Sequence, residues 1–379
     1  MPVNPQRSAD LIDMNYSELA PSYIRAIAPY QPGKPISELE RELGITGIVK
    51  LASNENPLGA SPKAVAAARA ALDQISLYPD GNGFALKEAL VKRYAVSFEQ
   101  VFLGNGSNDL LELAARAFLT AGDKAVYADH AFAVYPLAIQ AVGATGISVP
   151  ARDYGHDLDA MRSAAVQHGA KMIFIANPNN PTGTFLSGAA LHAFMRALPE
   201  NILVVLDEAY NEYLPVECRY DSVSWLGEFP NLIISRTFSK AYGLASLRVG
   251  YALGHPQVMD MLNRVRQPFN VNSVAQAAAV AALQDADFVQ QTFLLNQRGM
   301  KQITDGLKKL GLGYIPSFGN FVSFKIADAA RIYRRMLELG VIVRPVASYA
   351  MPDHLRVSIG LEAENIKFLS ALQQALGEK

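Results

Sequence analysis

The chain has 379 residues, half of them hydrophobic, and its 34 basic side chains nearly balance 35 acidic ones. This size predicts a large core in two lobes, and the balanced charge argues against nucleic acid or an anionic membrane surface as the main partner. The single cysteine excludes an intrachain disulfide, and without a bilayer-length apolar run or a metal-type histidine cluster we expect a globular protein of the cytoplasm that holds no metal.

The amino-terminal part of the chain begins with residues 1–30, which contain four prolines and no periodic pattern. We expect this segment to form an N-terminal arm rather than a packed element. Ser61 and Pro62 then supply a cap and a first-turn proline for an alanine-rich helix at 60–72. A second helix is expected near 108–119.

Short apolar segments follow, and they alternate with helix-like stretches such as 189–196. Each is rich in valine, isoleucine or leucine, which is typical of strands buried on both faces. The alternation predicts an α/β domain with a mostly parallel sheet. The predicted strands are 125–127, 146–149, 172–176, 202–206, 232–235 and 249–253.

The pattern changes from about residue 272, where an alanine- and glutamine-rich helix leads into an amphipathic helix at 288–310. We interpret the rest of the chain as a smaller α+β lobe. Its expected elements are strands at 321–326, 341–344 and 354–359, a helix at 329–339 and a terminal helix. The expected division of the chain is an arm at 1–30, a large domain at 63–282, and a small domain formed by 31–62 together with 283–379.

Polar residues follow two of the predicted strands. Asn177 comes after the strand at 172–176, and Asp207 comes after the strand at 202–206. In open α/β sheets, ligands bind at the carboxyl ends of strands, where these side chains would lie. The Asn177 amide can donate to a phenolate-type oxygen, although an asparagine before proline is equally typical of a plain turn.

The Asp207 carboxylate has three interpretations. It can pair with a protonated pyridine nitrogen and keep such a ring an electron sink, with Tyr210 able to reach the phenolic oxygen of the same ring. It can instead cap a helix that is followed by a packed tyrosine. The third interpretation is a metal-binding pair with Glu208, which is disfavoured because the chain has no G-x-x-x-x-G-K-[ST] loop.

A glycine-rich turn at 103–109 precedes the second predicted helix. Gly106, the Ser107 hydroxyl and the free amides around Asn108 are typical of a phosphate site at a helix N-terminus. Such turns are also frequent without a ligand. Phe132, further along, could stack on a planar ring, although an aromatic residue at this kind of spacing is more often part of a core.

The most informative segment reads SRTFSKAYGL at 235–244 and continues to Arg248. It places one lysine among small and hydroxylated residues. Lys240 offers an amine that can form a Schiff base, while the Ser239 hydroxyl and the Arg248 guanidinium can hold a phosphate. A pyridoxal phosphate enzyme needs this combination.

Two arginines lie on apolar strands of the smaller lobe. Arg344 ends one strand, and Arg356 begins another. Burying a guanidinium without an anion is costly. A substrate anion is one explanation, and a structural salt bridge to an acid elsewhere in the chain is the other.

Together these motifs resemble those of the fold-type-I pyridoxal phosphate aminotransferases, and among them the histidinol-phosphate aminotransferases. The resemblance extends from residue 30 to the C-terminus. It implies an aspartate-aminotransferase-like α/β fold, with a large domain of mostly parallel mixed sheet flanked by helices and a smaller α+β domain. The segments that carry it at the family level are LASNENPLG at 51–59, YPD at 78–80, RVRQPFNVN at 264–272, VRP at 343–345 and LRV at 355–357.

The resemblance implies roles around the ring of the cofactor, pyridoxal 5′-phosphate. Lys240 would bind the cofactor and move the substrate proton, and Asp207 would pair with the pyridine nitrogen. Asn177 and Tyr210 would bind the ring hydroxyl. Phe132 stands where the family often has tyrosine, so it would keep the stacking contact and lose a hydroxyl.

Further implied roles concern the phosphate of the cofactor and the phosphate or carboxylate of the substrate. Tyr78 would reach the cofactor phosphate from the other subunit of a homodimer. Asn108 stands where many relatives carry an acid. The other phosphate contacts implied are Gly106, Ser107, Ser239 and Arg248, and the substrate contacts implied are Tyr30, Asn177, Arg344 and Arg356.

The implied activity is transfer of an amino group between L-glutamate and imidazole acetol phosphate, with a small-molecule donor and a 2-oxo acid acceptor. The same residues are compatible with phenylalanine or tyrosine as the donor, so the aromatic alternative stays open at this point. Decarboxylation or elimination on the same scaffold is more remote. A cofactor-binding regulatory domain is also remote, because the chain has no DNA-binding extension beyond its arm.

Overall fold

The computed structural model describes residues 15–30 and 32–377, so the first 14 residues of the expected arm lie outside the described residues. Strands form three sheets in the described part of the chain. They are β1 (Val49–Lys50), β2 (Val101–Gly104), β3 (Lys124–Ala128), β4 (Thr145–Val149), β5 (Met172–Ala176), β6 (Leu203–Asp207), β7 (Leu232–Thr237), β8 (Gly250–Gly254), β9 (Phe321–Lys325), β10 (Val341–Ile342), β11 (Arg344–Pro345) and β12 (His354–Ser358).

The α-helices of the described residues lie before, between and after these strands. Several begin with caps that the sequence supplies, such as Ser61, whose side chain accepts from the Ala64 N–H before a first-turn proline. The helices are α1 (Ser22–Arg25), α2 (Ile36–Leu43), α3 (Pro62–Ala71), α4 (Phe84–Tyr94), α5 (Ser107–Phe118), α6 (Val134–Ala141), α7 (Leu158–His168), α8 (Gly188–Ala197), α9 (Pro256–Val265), α10 (Ser273–Leu283), α11 (Ala286–Lys309), α12 (Ala329–Glu338) and α13 (Glu362–Gly377).

The larger lobe is built on a seven-stranded sheet with the strand order β2-β8-β7-β6-β5-β3-β4. Strand β8 is antiparallel to both of its neighbours, and the other strand pairs are parallel. Parallel strands need crossover connections, which α-helices provide except between β6 and β7, where the connection contains short 3₁₀ helices. The carboxyl ends of β5, β6 and β7 therefore lie side by side at one edge of the sheet.

Helices cover both faces of this sheet. Successive residues of a strand point to opposite faces, so Ile173 and Ile175 share a hydrophobic core with α3, α4, α7, α8 and α10. Met172 and Phe174 share the other core with α5, α6 and α9. Burial on both faces explains why these strands are almost uniformly apolar.

The smaller lobe has its own core. Helices α11, α12 and α13 pack on a three-stranded sheet of order β11-β12-β9, and β1 pairs with β10 beside it. Val49 is in register with Val341, which joins the segment before the large sheet to the C-terminal part of the chain. We propose on this basis that 31–62 and 283–379 form one small domain and 63–282 the large one.

The strand prediction differs from the structure in two places. The strand β2 was missed, because four residues between a 3₁₀ helix and a glycine-rich turn give little periodicity. The predicted strand at 341–344 is divided, with β10 pairing to β1 and β11 pairing to β12.

Within the described residues, no helix is both long enough and apolar enough to cross a membrane.

Candidate active site

One cavity of about 210 Å³ lies at the carboxyl ends of β5, β6 and β7. Ala176, Asp207 and Thr237, the last residues of these three strands, all line it. Both lobes contribute to the wall. The predicted residues that line the cavity are Tyr30, Ser107, Asn108, Phe132, Asp207, Tyr210, Ser239, Lys240, Arg248, Arg344 and Arg356.

Lys240 lies in the loop that follows β7 and is half-buried. Its Nζ donates to the carbonyl oxygen of Ser53 at 3.0 Å. Burial lowers the pKa of this amine to about 8, and the positive charge of Arg356 acts in the same direction. A useful fraction of the amine is therefore neutral, and hence nucleophilic, at mildly alkaline pH.

Asp207 is buried at the end of β6, where its two carboxylate oxygens are separately held. Oδ2 accepts from the Tyr135 hydroxyl at 2.9 Å, and Oδ1 accepts from the Ala209 N–H at 3.2 Å. Burial raises the pKa of the carboxyl to about 6, against the opposing effect of the Tyr135 hydrogen bond. A cation beside Asp207 would offset this desolvation, so the group suits a protonated ring nitrogen.

The helix-cap interpretation of Asp207 is not supported by the backbone. The chain continues into a short 3₁₀ helix, Asn211–Tyr213, whose N-cap is Tyr210. The metal interpretation fails on Glu208, whose carboxylate is buried in an ion pair with Arg236 at 2.8 Å. Among the described residues, no group of three or more histidine, cysteine, aspartate or glutamate side chains could hold a metal ion.

Tyr210 presents a hydroxyl to the same cavity. Its oxygen accepts from Nδ2 of Asn54 at 2.9 Å, and its ring packs edge-on against Phe321. Burial raises the pKa of the Tyr210 hydroxyl to about 12, although the Arg356 charge opposes the shift. The hydroxyl therefore keeps its proton at physiological pH and can act as a hydrogen-bond donor.

The predicted phosphate contacts lie at the N-terminus of α5. The hydroxyl of Ser239 accepts from Nη1 of Arg248 at 3.2 Å. Gly106 has a φ of 81°, and a Cβ at this position would collide with the Arg248 guanidinium. Glycine thus lets the arginine approach the first turn of α5, where Ser107 and Asn108 line the cavity.

Phe132 lines the cavity just before α6. It is only partly buried and packs edge-on against Tyr135, with 5.9 Å between ring centres. The interpretation as a purely core residue therefore does not account for the part of the ring that lines the cavity. The remaining surface is available for stacking on a planar ligand.

Asn177 does not face the cavity. Its Nδ2 donates to the Leu186 carbonyl at 3.0 Å and to the Tyr220 hydroxyl at 2.9 Å, and its Oδ1 accepts from the Leu186 N–H at 2.7 Å. Both amide hydrogens are therefore used inside the protein. Asn180, three residues later in the same loop, lines the cavity instead. The structure thus contradicts the prediction that Asn177 contacts the cofactor ring or the substrate.

Arg356 is a buried guanidinium held by neutral oxygens. It donates to Oδ1 of Asn180 and to the carbonyl of Ala52, the latter at 2.7 Å. Its Nε has no hydrogen-bond partner among the described residues, and burial lowers the pKa of the group. These contacts do not neutralise the charge, so the salt-bridge interpretation fails for Arg356 and an anion in the cavity would stabilise it.

Arg344 lies directly opposite Arg356 in the antiparallel pair of β11 and β12. It is buried, and its guanidinium lies 5.5 Å from the centre of the Tyr30 ring. Arginine stacks favourably on an aromatic face. The register therefore brings two guanidinium groups side by side in the cavity wall, and Tyr30 lies against one of them.

Tyr78 lies outside the cavity of its own chain. Its side chain is 83% exposed and stacks on Phe269, with 4.7 Å between ring centres. It is not among the residues that line the cavity of Lys240. Its predicted contribution to a neighbouring subunit stays a prediction.

Sequence reasoning missed several residues of the wall. Asn180 precedes a proline just as Asn177 does, and Thr237 lies inside the hydroxyl-rich segment before Lys240, so both carried a usable signal. Tyr349 had none, since it lies in a 3₁₀ helix after β11. The main cavity residues that were not predicted are Ser53, Asn54, Asn180, Thr237 and Tyr349.

These groups fit pyridoxal 5′-phosphate. The cavity offers a lysine amine with a lowered pKa, a buried carboxylate, a protonated tyrosine hydroxyl, and a phosphate cradle of hydroxyls, amides and one guanidinium. The cofactor requires these functional groups for its aldehyde, ring nitrogen, ring oxygen and phosphate. The residues that would hold it come mainly from the larger lobe.

Comparison with known proteins gives the same answer. A family model described as aminotransferase class I and II matches residues 46–372. The histidinol-phosphate aminotransferase of Methylobacillus flagellatus is 64% identical over 361 residues, covering 95% of this chain and 98% of that protein. Histidinol-phosphate aminotransferase 2 of Nitrosospira multiformis is 60% identical and covers 96% of this chain and 93% of its own length.

Solved structures agree on the fold. The crystal structure of histidinol-phosphate aminotransferase from Sinorhizobium meliloti in complex with pyridoxal-5′-phosphate has a TM-score of 0.87 and 29% identity, covering 94% of this chain and 97% of that one. Aspartate aminotransferase from Thermus thermophilus has a TM-score of 0.82 at 24% identity, covering 94% of this chain and 99% of that one. The latter likeness concerns the fold alone.

The fold and the site define a pyridoxal phosphate-dependent aminotransferase of class I and II, with fold-type-I architecture. Identity to the relatives described above extends over nearly the whole chain. The chain therefore belongs to the histidinol-phosphate aminotransferase family.

Proposed function

We propose that this enzyme transfers an amino group from L-histidinol phosphate to 2-oxoglutarate, giving imidazole acetol phosphate and L-glutamate in histidine biosynthesis. The observation that carries the proposal is the pair of buried arginines, Arg344 and Arg356, in the cavity that contains Lys240. Two guanidinium groups can bind a phosphomonoester in one half-reaction and a distal carboxylate in the other, because both anions present paired oxygens. The names of the relatives favour this substrate over an aromatic amino acid.

Bound pyridoxal 5′-phosphate supplies an electron sink for the substrate carbon that loses its proton. Nζ of Lys240 accepts and returns that proton, and its lowered pKa suits both directions of transfer. Asp207 would keep a proton on the ring nitrogen. The hydroxyl of Tyr210 and the side chain of Asn180, rather than that of Asn177, lie where they can contact the ring oxygen or the substrate.

The remaining wall orients the two ligands. Phe132, which lines the cavity, would stack on the cofactor ring. Tyr30 lies against the Arg344 guanidinium, and its ring would limit the access of water to the anion site, which would strengthen charge pairing there. The phosphate of the cofactor is assigned to Gly106, Ser107, Asn108, Ser239 and Arg248.

The functional unit that we propose is a homodimer with shared sites, working in the cytoplasm. Tyr78 and Phe269 form an exposed aromatic pair, and the nearby side chains of Ile75 and Leu77 are 67% and 66% exposed. Neighbouring apolar side chains with such exposure are typical of a subunit interface. A free thiol at Cys218 is compatible with a reducing compartment.

Steady-state kinetics test the substrate. Histidinol phosphate, phenylalanine and tyrosine are compared as donors to 2-oxoglutarate, each at several concentrations, and kcat/KM is the measured quantity. We expect histidinol phosphate to be preferred by at least about a hundredfold, since only this donor supplies the phosphomonoester dianion that two arginines can bind. Equal or higher kcat/KM with an aromatic donor would reject the proposal.

A further inference from the structure

Asn54 joins the two lobes in an uncommon backbone conformation. It is 1% exposed, and its φ of 55° lies in the left-handed region that glycine, asparagine and aspartate adopt most readily. Its carbonyl oxygen accepts from Nδ2 of Asn320 at 3.0 Å, and its N–H donates to the Ser358 hydroxyl at 2.8 Å. Both partners belong to the smaller lobe.

The hydrogen bonds of Ser358 determine which way the Asn54 amide points. Oγ of Ser358 already accepts the Asn54 N–H, so its own hydrogen goes to Oδ1 of Asn54 at 2.9 Å. The opposite amide orientation would leave that hydrogen without an acceptor among the described residues. Nδ2 of Asn54 therefore faces Tyr210, whose hydroxyl oxygen accepts from it at 2.9 Å.

Tyr210 has a single hydroxyl hydrogen, and Asn54 cannot receive it. The hydroxyl makes no second hydrogen bond among the described residues, and Tyr210 lines the cavity. Its hydrogen is therefore left for an acceptor in the cavity. Without the Asn54 donor, the same hydroxyl could rotate and donate elsewhere.

We propose that Asn54 is a positioning residue, which fixes Tyr210 as an acceptor on the protein side and as a donor to the ring oxygen of the cofactor. The inference rests on the proposed function, because it takes that oxygen as the acceptor. Ser358 follows Arg356 by two residues on β12. Strand β12, which carries Arg356, thus also determines that Tyr210 is the donor in its hydrogen bond to the cofactor.

The expected effect is spectroscopic. A donor fixed toward the ring oxygen favours its anionic form, so the visible absorption of the bound cofactor changes at a lower pH than it would otherwise. Replacing Asn54 by glycine keeps the left-handed backbone and removes the donor. In the cofactor-loaded enzyme, Asn54→Gly should shift the midpoint of this titration upward by about one pH unit.

The experiment compares Asn54→Gly in two backgrounds, the native enzyme and Tyr210→Phe. A double-mutant cycle isolates the coupling of the two side chains. We expect the shift with Tyr210 present and almost none in Tyr210→Phe. Asn320→Ala is the matched control, since it removes bonds to the backbone carbonyls of Asn54 and Glu55 but none to the Asn54 side chain, and it should lower Tm without moving the titration.

Asn54→Asp is the second variant, because aspartate has the same shape and tolerates the left-handed backbone. Its carboxylate accepts the tyrosine hydrogen, so its upward shift should be larger with Tyr210 than with phenylalanine at that position. The inference is overturned if neither variant moves the midpoint, or if the shift is equal in both backgrounds. Failure of the proposed function would look different: the native enzyme would show no cofactor band, or would prefer another donor with the band intact.

Discussion

Lys240 combines a nucleophilic role with an environment that disfavours its charge. Burial lowers the pKa of its amine to about 8, with a further contribution from Arg356. Only the neutral amine attacks an aldehyde. The side chain should therefore gain reactivity over a pH range in which an ordinary lysine stays protonated.

This gives a prediction for reconstitution. When cofactor-free enzyme is mixed with pyridoxal 5′-phosphate, the rate at which the visible band appears should rise with pH and level off above about 8, as Lys240 loses its proton. Stopped-flow absorbance across the pH range measures this rate. Lys240→Arg is the control and should give no band, and a rate in the native protein that keeps rising up to about pH 10 would contradict the lowered pKa.

Asp207 gives a prediction for stability without the cofactor. Its folded-state pKa is raised to about 6, so between about pH 4 and pH 6 the folded protein keeps a proton that the unfolded chain releases. As the pH rises through this range, the free energy of unfolding should fall. The contribution of Asp207 to this fall is on the order of 3 kcal/mol. Urea denaturation of cofactor-free protein at several pH values measures it.

The matched variant for this effect is Asp207→Asn, which lacks the titrating group. Its free energy of unfolding should stay flatter over the same range, because the variant has no carboxyl group at this position to release a proton. With cofactor bound, the same variant should lose most turnover, because it cannot hold the ring nitrogen protonated. Identical pH profiles for the two cofactor-free proteins would show that Asp207 is not desolvated as the structure implies.

Arg356 gives a third prediction at this scale. Its Nη1 donates to Asn180 and its Nη2 donates to Ala52, and the guanidinium has further N–H groups for a ligand. Lysine keeps the charge but has no planar fork, so Arg356→Lys should lose about 2–5 kcal/mol in transition-state binding. The measurement is kcat/KM for histidinol phosphate and for glutamate, and near-native values for both would remove the main physical support for the substrate.

Individual residues also show where prediction from sequence ends. The chemistry of Lys240, Asp207 and Arg356 follows from residue types at the ends of apolar strands. The choice between Asn177 and Asn180 does not, because both precede a proline in one loop. Only the folded loop shows that Leu186 and Tyr220 use the amide of the first.

At the scale of elements, the segment 51–59 crosses the loop that carries Lys240. Nδ2 of Asn56 donates to the Ala241 carbonyl at 2.9 Å. Gly243 has a φ of 69°, and a Cβ there would overlap the carbonyl oxygen of Gly59. The loop and the crossing segment therefore fit together only with glycine at this position.

Gly243→Ala should consequently destabilise the protein by several kcal/mol, since backbone strain and a backbone clash add. Thermal denaturation and the intensity of the cofactor band are the measurements. Gly227→Ala is the matched control, because a Cβ there meets nothing within 4 Å. Equal Tm values for the two variants would show that the crossing segment is free to move away.

The sequence predicted the elements that have long hydrophobic patterns. It failed for short strands whose bounds depend on the strands with which they pair. Strands buried on both faces, such as β5, follow from apolar runs alone. The division at 343 does not, because 341–344 is one continuous strand-like run in the sequence, whereas Val341 pairs with β1 and Arg344 pairs with β12. Nor does the short β2, whose place beside β8 is a tertiary contact.

At the scale of the whole molecule, the shared site of the proposed homodimer can be tested by mixing subunits. Lys240→Ala and Tyr78→Ala are each expected to be almost inactive. In a hybrid dimer, one site would receive both native residues, Lys240 from one subunit and Tyr78 from the other. Refolding an equal mixture should therefore recover about a quarter of native activity, because half of the dimers are hybrids with one competent site.

The mixture is compared with each variant refolded alone at the same total concentration. No gain on mixing, with dimers present in sedimentation, would place Tyr78 in the site of its own chain or in none. A catalytically competent monomer would contradict the dimer itself.

The pairing of Val49 with Val341 has a consequence for the order in which the enzyme matures during synthesis. The strands that carry the cofactor contacts are complete once the ribosome has passed Gly254. Strand β1 must wait for almost three hundred further residues before its partner exists. We expect a nascent chain to acquire the framework for the cofactor first, and to become able to hold a substrate only when its last strands have been made.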